Sequence, residues 1–347
     1  MVSGVSVIIA CHNGAERIGA CLDALAGQDW PGDIETIVVD DRSTDDTAAT
    51  AVRHGARVIA TRGTQGPAAA RNLGITVATH PVIAFTDDDA LPEPGWLAAL
   101  VAVLEQTGAG AVAGATVPSD DDHLLCRYLA VNNPLAPLER GIGAHRSALR
   151  RLTDYLRGVA GLGPQLSGVR PIYAAGTVNL AVRAETLAEL DGFDADFGFS
   201  GEDQDLCRRL LAHDPDGLWF APEAVVRHVF DPRLGDTLRR SRAYALGNAA
   251  LHRKHPEIGR IVFPIPVLWL VATLALAAHR PRRAWLPTAA IAAAYPRYLR
   301  HAATQPNAEA LAYPYLQFLS ECAANVGAAE GMLADRARRR PKKVAHA

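Results

Sequence analysis

The sequence predicts an α/β fold: a mostly parallel sheet flanked by helices, followed by a helical, partly apolar C-terminal extension. Two observations predict this fold. Strand-like and helix-like segments alternate through the first 120 residues, which is typical of consecutive βαβ units. Acidic side chains also follow two of the predicted strands, at the sheet edge where open α/β folds bind their ligands.

Runs of branched and aromatic residues predict the strands, and apolar residues at helical spacing predict the helices. The predicted strands are 5–10, 34–39, 57–60, 82–86, 111–117, 177–182 and 224–229. The predicted helices are 15–27, 44–54, 67–78, 96–106, 204–212 and 237–252. Residues 120–172 are less regular, as lids and binding loops often are.

Composition indicates a globular protein, because 49% of its 347 residues are hydrophobic and 21% are charged. We expect a catalytic domain at 1–235, divided near 118, and a helical extension at 236–347. Five scattered cysteines indicate reduced thiols in a cytosolic setting. The first residues have no basic region or cleavage site before the first predicted strand, so we expect no signal peptide.

Charge is distributed unevenly along the chain. Residues 1–249 contain 21 Lys/Arg and 32 Asp/Glu, whereas residues 250–347 contain 14 and 5. A basic tail on an acidic body indicates contact with an anionic surface. A nucleic-acid-binding protein would more naturally have a basic body, so we expect no nucleic-acid partner.

Three consecutive aspartates, Asp87, Asp88 and Asp89, follow the predicted strand 82–86. Adjacent carboxylates repel one another, and a bridging cation relieves that repulsion. The triplet therefore suggests a divalent cation that carries a phosphate-rich ligand. The alternative is a solvated acidic turn.

Two further polar residues occupy ligand-binding positions in the predicted fold. Asp41 lies at a strand end, where its carboxylate can accept a hydrogen bond from a base N–H or a ribose hydroxyl; the alternative is a helix cap. Arg71 lies one turn inside the helix that begins after Gly66. A guanidinium beside a helix N-terminus suits an anion, and the alternative is a surface salt bridge.

Five sequence blocks, taken in order, resemble glycosyltransferase family 2, the inverting nucleotide-sugar transferases with the GT-A fold. They are VSVIIACHN (5–13), VVDDRSTD (38–45), GPAAARNLG (66–74), TDDD (86–89) and GEDQDL (201–206). The resemblance spans about residues 4–230. It implies a GT-A fold, a nucleoside-diphosphate sugar as donor, and Mn²⁺ or Mg²⁺ as cofactor.

The resemblance also implies roles for residues at the donor site. Ala10, Asn13, Asp41 and Arg71 would contact the nucleotide sugar, with Asp41 on a uracil-type base. Asp89 would be the principal metal ligand. Of its two neighbours, Asp87 or Asp88 would contact the ribose or a metal-bound water, and Asp87 is also a candidate ligand.

A later histidine and two later acidic residues complete the implied site. His228 would complete the metal site, although a lone histidine on a strand is often structural. Asp203 would deprotonate the acceptor hydroxyl, and Glu202 would support it or contact the acceptor. The alternative makes Glu202 and Asp203 ordinary charges at a helix N-terminus.

An apolar stretch in the extension, residues 261–278, contains no charged residue. Basic residues follow at 280–283, and a second apolar stretch follows at 284–295. Spanning the membrane would export many arginines, so we expect shallow insertion. The alternative is helices packed on the catalytic domain. A location on the cytoplasmic face of a membrane would suit a lipid-linked or cell-envelope glycan acceptor.

The predicted function is metal-dependent inverting glycosyl transfer to an acceptor hydroxyl. One alternative is a tailoring glycosyltransferase that acts on a soluble small molecule or a peptide. Another is a sugar nucleotidyltransferase, which should have a glycine-rich loop with Lys or Arg after the first strand; residues 10–15 contain only Gly14 and no lysine. A third is a non-catalytic sugar- or lipid-binding protein.

Overall fold

The structure is a computed structural model that describes residues 2–63, 65–119, 122–139, 147–163, 166–198, 200–260, 262–304 and 308–339. It divides into two compact units. We call Met1–Ile142 with Pro164–Pro232 the sheet unit, and Gly143–Gly163 with Arg233–Ala347 the helical unit.

The sheet unit contains one mixed sheet. Its strands in the described part of the chain are β1 (Gly4–Cys11), β2 (Asp33–Asp40), β3 (Arg57–Ala60), β4 (Val82–Asp87), β5 (Ala90–Pro92), β6 (Ala111–Pro118), β7 (Leu138–Glu139), β8 (Arg170–Ala174), β9 (Leu180–Arg183) and β10 (Leu218–His228). The strand order is β3-β2-β1-β4-β9-β6-β10-β8-β7, and β5 pairs with β10.

The α/β class is confirmed, and the first four strands of the order run parallel as predicted. Beyond them, β9 lies between β4 and β6 and is antiparallel to both. The predicted strand 177–182 is a 3₁₀ turn at Thr177–Asn179 followed by β9. The apolar pattern of a strand does not encode its direction, so the sequence alone did not show this change.

The helices lie in both units. The sheet unit contains α1 (Ile18–Ala26), α2 (Thr47–Arg53), α3 (Pro67–Val77), α4 (Trp96–Thr107), α5 (Leu124–Val131), α7 (Ala184–Glu189) and α8 (Glu202–His213). The helical unit contains α6 (Ala148–Val159), α9 (Leu234–Lys254), α10 (Pro264–His279), α11 (Leu286–Ala289), α12 (Ile291–Ala294), α13 (Pro296–Thr304) and α14 (Tyr313–Arg339).

Successive apolar side chains of β1 point to opposite faces of the sheet, and the core has one layer on each face. Val7 and Ile9 pack with α1 and α4 on one face of the sheet. Ile8 packs with α3 and α8 on the other face. Successive strand residues point to opposite faces, so one apolar strand serves both layers.

A glycine sets the distance between α3 and β1. A Cβ at Gly74 would lie 2.6 Å from Cγ2 of Ile8, so a larger residue would push the helix off the strand. Gly74 lies three residues after Arg71 in the same helix. The close contact therefore also sets the position of the Arg71 side chain.

Small residues line the contact between α9 and α14 in the helical unit. Ala245 packs with Ala324 and Ala328, and a Cβ at Gly327 would overlap the backbone of Arg242. Arg242 also donates two hydrogen bonds to Glu330, at 2.8 and 2.7 Å. Close backbone approach and a bidentate ion pair together hold the two helices side by side.

Glu321 is a buried carboxylate on α14 of the helical unit. It accepts hydrogen bonds from the hydroxyls of Tyr155 on α6, at 2.8 Å, and Tyr295, at 2.7 Å, and from Nε2 of Gln317, at 2.9 Å. Burial raises the pKa of Glu321, although these donors oppose the shift. The network attaches α6 to α14.

Candidate active site

The acidic triplet lies at the carboxyl end of β4, immediately before β5. Strand β10 pairs with β5 and so lies close to the triplet. Asp87 is the last residue of β4, and β5 begins at Ala90. In the antiparallel β5–β10 pair, His228 lies opposite Ala90, and the N–H of Val229 donates to the carbonyl of Asp89 at 2.8 Å. This pairing places His228 beside the triplet although 139 residues separate it from Asp89.

Asp87, Asp89 and His228 form a group that could hold a metal ion, with one ligand atom from each within 4.8 Å of the others. Nε2 of His228 lies 3.2 Å from Oδ1 of Asp89. The second ring nitrogen, Nδ1, is buried with no hydrogen-bond partner among the described residues. Two carboxylates and an imidazole are a donor set that fits a divalent cation.

Asp88 turns away from this group. Its carboxylate accepts a hydrogen bond from Nη2 of Arg17 at 2.6 Å and packs against the loop at Gly14. Burial, and then the charge of Asp89, raise the pKa of Asp88, while Arg17 opposes the shift. Asp88 therefore joins the end of β4 to the segment after β1.

Arg71 is buried between two carboxylates. Nη1 donates to Glu202 at 2.8 Å, and Nη2 donates to Asp87 at 3.2 Å. Burial lowers the pKa of Arg71, but the charges of Asp87, Glu202 and Asp203 raise it by more. Arg71 thus links the metal-ligand group to the beginning of α8, and it is not a surface salt bridge.

Glu202 and Asp203 occupy the first turn of α8, after Gly201, whose φ of 102° is in the left-handed region. The N–H of Gln204 donates to Oδ1 of Asp203 at 2.7 Å. Burial, and then the adjacent charge of Glu202, raise the pKa of Asp203 to about 7. A carboxyl group with a pKa near neutrality can exchange a proton with a reacting hydroxyl.

The carboxylate of Asp41 is nearly buried and has two partners. Thr61 Oγ1 donates to one oxygen at 2.7 Å, and the N–H of Gly66 donates to the other at 2.8 Å. Asp41 therefore fixes the segment that leads into α3. Each oxygen keeps capacity to accept a further hydrogen bond from a ligand.

Asn13 and Ala10 lie in the first block of the sequence. Asn13 has a φ of 52°, donates its N–H to Ser43 Oγ at 2.9 Å, and accepts from the N–H of Thr44 at 2.8 Å. Ala10 is paired in register with Asp87 in β4. These contacts hold the segments after β1 and β2 together beside the end of β4.

Ser43 does not cap α2. Its hydroxyl accepts a hydrogen bond from the N–H of Asn13, while Asp45 accepts one from the N–H of Thr47 at 3.1 Å.

Arg17 is a site residue that sequence reasoning missed. It contacts Asp88 across 71 residues, and a separation of that length leaves no local spacing signal.

Two sequence families match the chain. Glycosyl transferase family 2 matches residues 6–146, and Glycosyl transferase family group 2 matches residues 138–307. Together the two matches support a family 2 glycosyltransferase. The resemblance stated from the five blocks is thereby confirmed.

Curated family members are similar over parts of their length. The pre-mycofactocin glycosyltransferase of Mycobacterium tuberculosis is 29% identical over 261 residues, covering 73% of this chain and 48% of that protein. Glycosyltransferase AglE of Haloferax volcanii is 36% identical over 116 residues, covering 32% of this chain and 38% of that protein. The chain spans about half or less of the length of these relatives.

A solved mannosyltransferase structure has a similar fold. Mannosyltransferase PcManGT from Pyrobaculum calidifontis, solved in complex with GDP-Man and Mn²⁺, superposes with a TM-score of 0.55 at 23% identity. The superposition covers 96% of this chain and 87% of that chain. It supports the GT-A type α/β fold of this family 2 protein.

Proposed function

We propose that this protein is a metal-dependent inverting glycosyltransferase that moves a sugar from a nucleoside-diphosphate sugar to an acceptor hydroxyl. One observation carries the proposal: the guanidinium of Arg71 contacts both Asp87 in the metal-ligand group and Glu202 beside Asp203. A group that could hold a cation and a carboxyl of near-neutral pKa therefore lie on either side of one side chain.

Asp203 is the proposed general base. The acceptor oxygen bonds to the anomeric carbon as the bond from that carbon to the diphosphate oxygen breaks. The hydroxyl proton passes to the carboxylate of Asp203, and the electron pair of the broken bond leaves with the diphosphate. Attack from the side opposite the leaving group inverts the anomeric configuration.

Asp87, Asp89 and His228 are the proposed ligands of Mn²⁺ or Mg²⁺. When bound, the cation supplies positive charge that offsets the diphosphate and the adjacent carboxylates. The M. tuberculosis relative is named as a glycosyltransferase, and the Pyrobaculum mannosyltransferase was solved with GDP-Man and Mn²⁺. The first supports glycosyl transfer, and the second supports a divalent cation as cofactor.

Asp41, Asn13 and Ala10 are proposed to line the nucleotide side of the donor site. Asp88 and Arg71 are engaged in ion pairs within the protein. We therefore propose that these two act by fixing the segment after β4 and the beginning of α8. Glu202 acts in the same way through Arg71.

For the acceptor, we propose a hydroxyl compound held at the cytoplasmic face of a membrane, such as a lipid-linked or cell-envelope glycan. The support is α10 in the helical unit, an apolar helix that leaves Leu268, Val271 and Leu274 exposed. Among the described residues, no helix is long and apolar enough to cross a membrane. Shallow insertion of α10 is the form of contact that we propose.

The alternative acceptor is a soluble small molecule or a peptide. The two can be separated by assaying transfer to lipid extracts and to soluble extracts with the same labelled donor. Transfer only to the soluble fraction would contradict the membrane-held acceptor and leave the chemistry intact.

A thermal-shift screen tests the chemistry. The full chain is heated with UDP, GDP and ADP, each with and without Mn²⁺ or Mg²⁺. We expect one nucleotide to raise Tm in a cation-dependent way, because a ligand that binds only the folded state stabilises it. No shift with any nucleotide would contradict the proposal. Formation of a nucleoside triphosphate from pyrophosphate and a nucleotide sugar would identify a nucleotidyltransferase instead.

A further inference from the structure

Helix α6 has a row of exposed leucines that neither the donor site nor the C-terminal extension explains. Leu149 is 73% exposed, Leu152 is 42% exposed and Leu156 is 51% exposed. They are spaced three and four residues apart, so they lie on one side of the helix. Leaving three large apolar side chains on one helix face in water is costly unless something covers them.

Two residues next to the leucine row, on the same side of the helix, fix α6 to the helical unit. Tyr155 donates its hydroxyl to buried Glu321 at 2.8 Å, and its ring lies 6.0 Å from the ring of Phe263. Val159, at the end of the helix, is buried. These contacts fix α6 in the helical unit, while the three leucines beside them stay exposed.

Basic residues flank the leucine face. Arg150 and Arg157 are exposed, and α6 carries three arginines against the single acidic residue Asp154. The ranges of the whole helical unit, 143–163 and 233–347, contain 22 Lys/Arg and 7 Asp/Glu. The leucines are therefore presented by a strongly basic unit, which suits an anionic surface.

The apolar face of α6 continues towards another exposed apolar element of the same unit. Phe263, which Tyr155 contacts, is the residue immediately before α10. The middle of α6 therefore packs against the start of the helix that exposes Leu268, Val271 and Leu274.

We propose that α6 is an in-plane docking helix for an anionic lipid bilayer. Its leucines enter the boundary between headgroups and acyl chains, and its arginines contact lipid phosphates. A stable subunit interface buries about 800 Å² on each partner, more than three leucine side chains supply. The inference rests on the proposed function only for the placement at a membrane.

Vesicle flotation of the full chain tests the inference. We compare vesicles of phosphatidylcholine alone with vesicles that also contain phosphatidylglycerol. The wild type should float with the anionic vesicles. The triple variant Leu149→Gln, Leu152→Gln, Leu156→Gln should lose at least tenfold in partition coefficient, because each exposed leucine contributes apolar burial in the bilayer.

Two further variants complete the test. Val52→Gln changes a 61% exposed apolar residue of the sheet unit and should bind vesicles as the wild type does. The pair Arg150→Gln, Arg157→Gln should weaken the preference for anionic vesicles. Circular dichroism and the nucleotide-induced Tm shift should match the wild type for all of them, which separates loss of docking from loss of fold or donor binding.

Unchanged flotation of the leucine variant would overturn the proposal. A second contrary outcome is a wild-type dimer in sedimentation equilibrium that the leucine variant converts to a monomer while vesicle binding persists. That result would assign the leucine face to a second copy of this chain. Failure of every nucleotide to shift Tm would contradict the transferase chemistry and leave the flotation result to be judged by itself.

Discussion

Nη1 of Arg71 lies 2.8 Å from Oε1 of Glu202, and each of these side chains is only 6% exposed. The pair joins α3 to α8 across 131 residues, and the second guanidinium nitrogen contacts Asp87. Both charges are removed from water, so each is stable in the interior only while the opposite charge is beside it. Arg71 is therefore a positioning residue between the metal-ligand group and the beginning of α8.

Removing one member of this pair should destabilise the fold more than removing both. We expect Arg71→Met to lower the free energy of unfolding by about 3–5 kcal/mol, because it leaves the Glu202 carboxylate buried without its partner. Adding Glu202→Met to Arg71→Met should recover a large part of that loss. Urea unfolding of the two single variants and the double variant measures the coupling.

A matched control is the pair of Arg57 and Glu35, at 3.0 Å, in which the arginine side chain is 50% exposed. Arg57→Met should cost below about 1 kcal/mol, because water already screens that pair. Equal costs at Arg71 and Arg57 would contradict the buried-pair interpretation.

Replacing the proposed base should stop transfer without stopping donor binding. We expect Asp203→Asn to lower kcat by about 10²–10⁴-fold, because the amide cannot accept the acceptor proton. The nucleotide-induced Tm shift in the presence of Mn²⁺ should persist. Asp29→Asn, at an exposed aspartate, serves as the control and should transfer as the wild type does. Wild-type turnover by Asp203→Asn would remove the residue from the role of base.

The raised pKa of Asp203 predicts a pH profile. The carboxyl is protonated below about pH 7 and ionised above it. As a base it must be ionised, so kcat/KM should rise about tenfold per pH unit below the pKa and level off above it. Rates measured from pH 5 to 9 test this prediction. A profile that falls through pH 7 would contradict it.

The raised pKa of Asp203 affects stability in the opposite direction: activity should rise with pH, whereas the contribution of Asp203 to stability should fall. Between the ordinary value of 3.8 and about 7, the folded chain binds the Asp203 proton more tightly than the unfolded chain does. The contribution of Asp203 to stability is therefore present at low pH and is lost as the pH rises to 7. Asp203→Asn should flatten this part of the stability profile, as urea midpoints at pH 5 and 8 will show.

Substitutions in the metal-ligand group should weaken cation binding selectively. We expect Asp89→Asn and His228→Gln each to reduce Mn²⁺ affinity by at least about tenfold, since even indirect changes at metal sites cost about 10–100-fold. Calorimetric titration of Mn²⁺ in the presence of a nucleoside diphosphate measures the change. The control is Glu223→Gln, at an exposed position of the same strand as His228. Wild-type affinity in both ligand variants would contradict the assigned site.

The main elements of the sheet unit followed from the sequence. Strands β1 to β4 and helices α3 and α4 lie within one or two residues of the predicted bounds, because each has a strong local pattern of apolar residues. The antiparallel entry of β9 did not follow, since pairing direction depends on the path of the chain. The place of α6 in the helical unit was also missed, because contacts such as Tyr155 with Glu321 connect distant segments.

The sequence by itself determined the family, the α/β class and the set of acidic residues, because these depend on local composition and short spacing. The resemblance singled out Asp89 as the principal metal ligand, but the sequence did not decide between Asp87 and Asp88 for the ribose contact. Only the tertiary structure decided that Asp87 and Asp89 lie with His228 while Asp88 pairs with Arg17. It also decided that Arg71 lies between two carboxylates. Such contacts join segments 16 to 139 residues apart, and packing, not local pattern, selects which side chains meet.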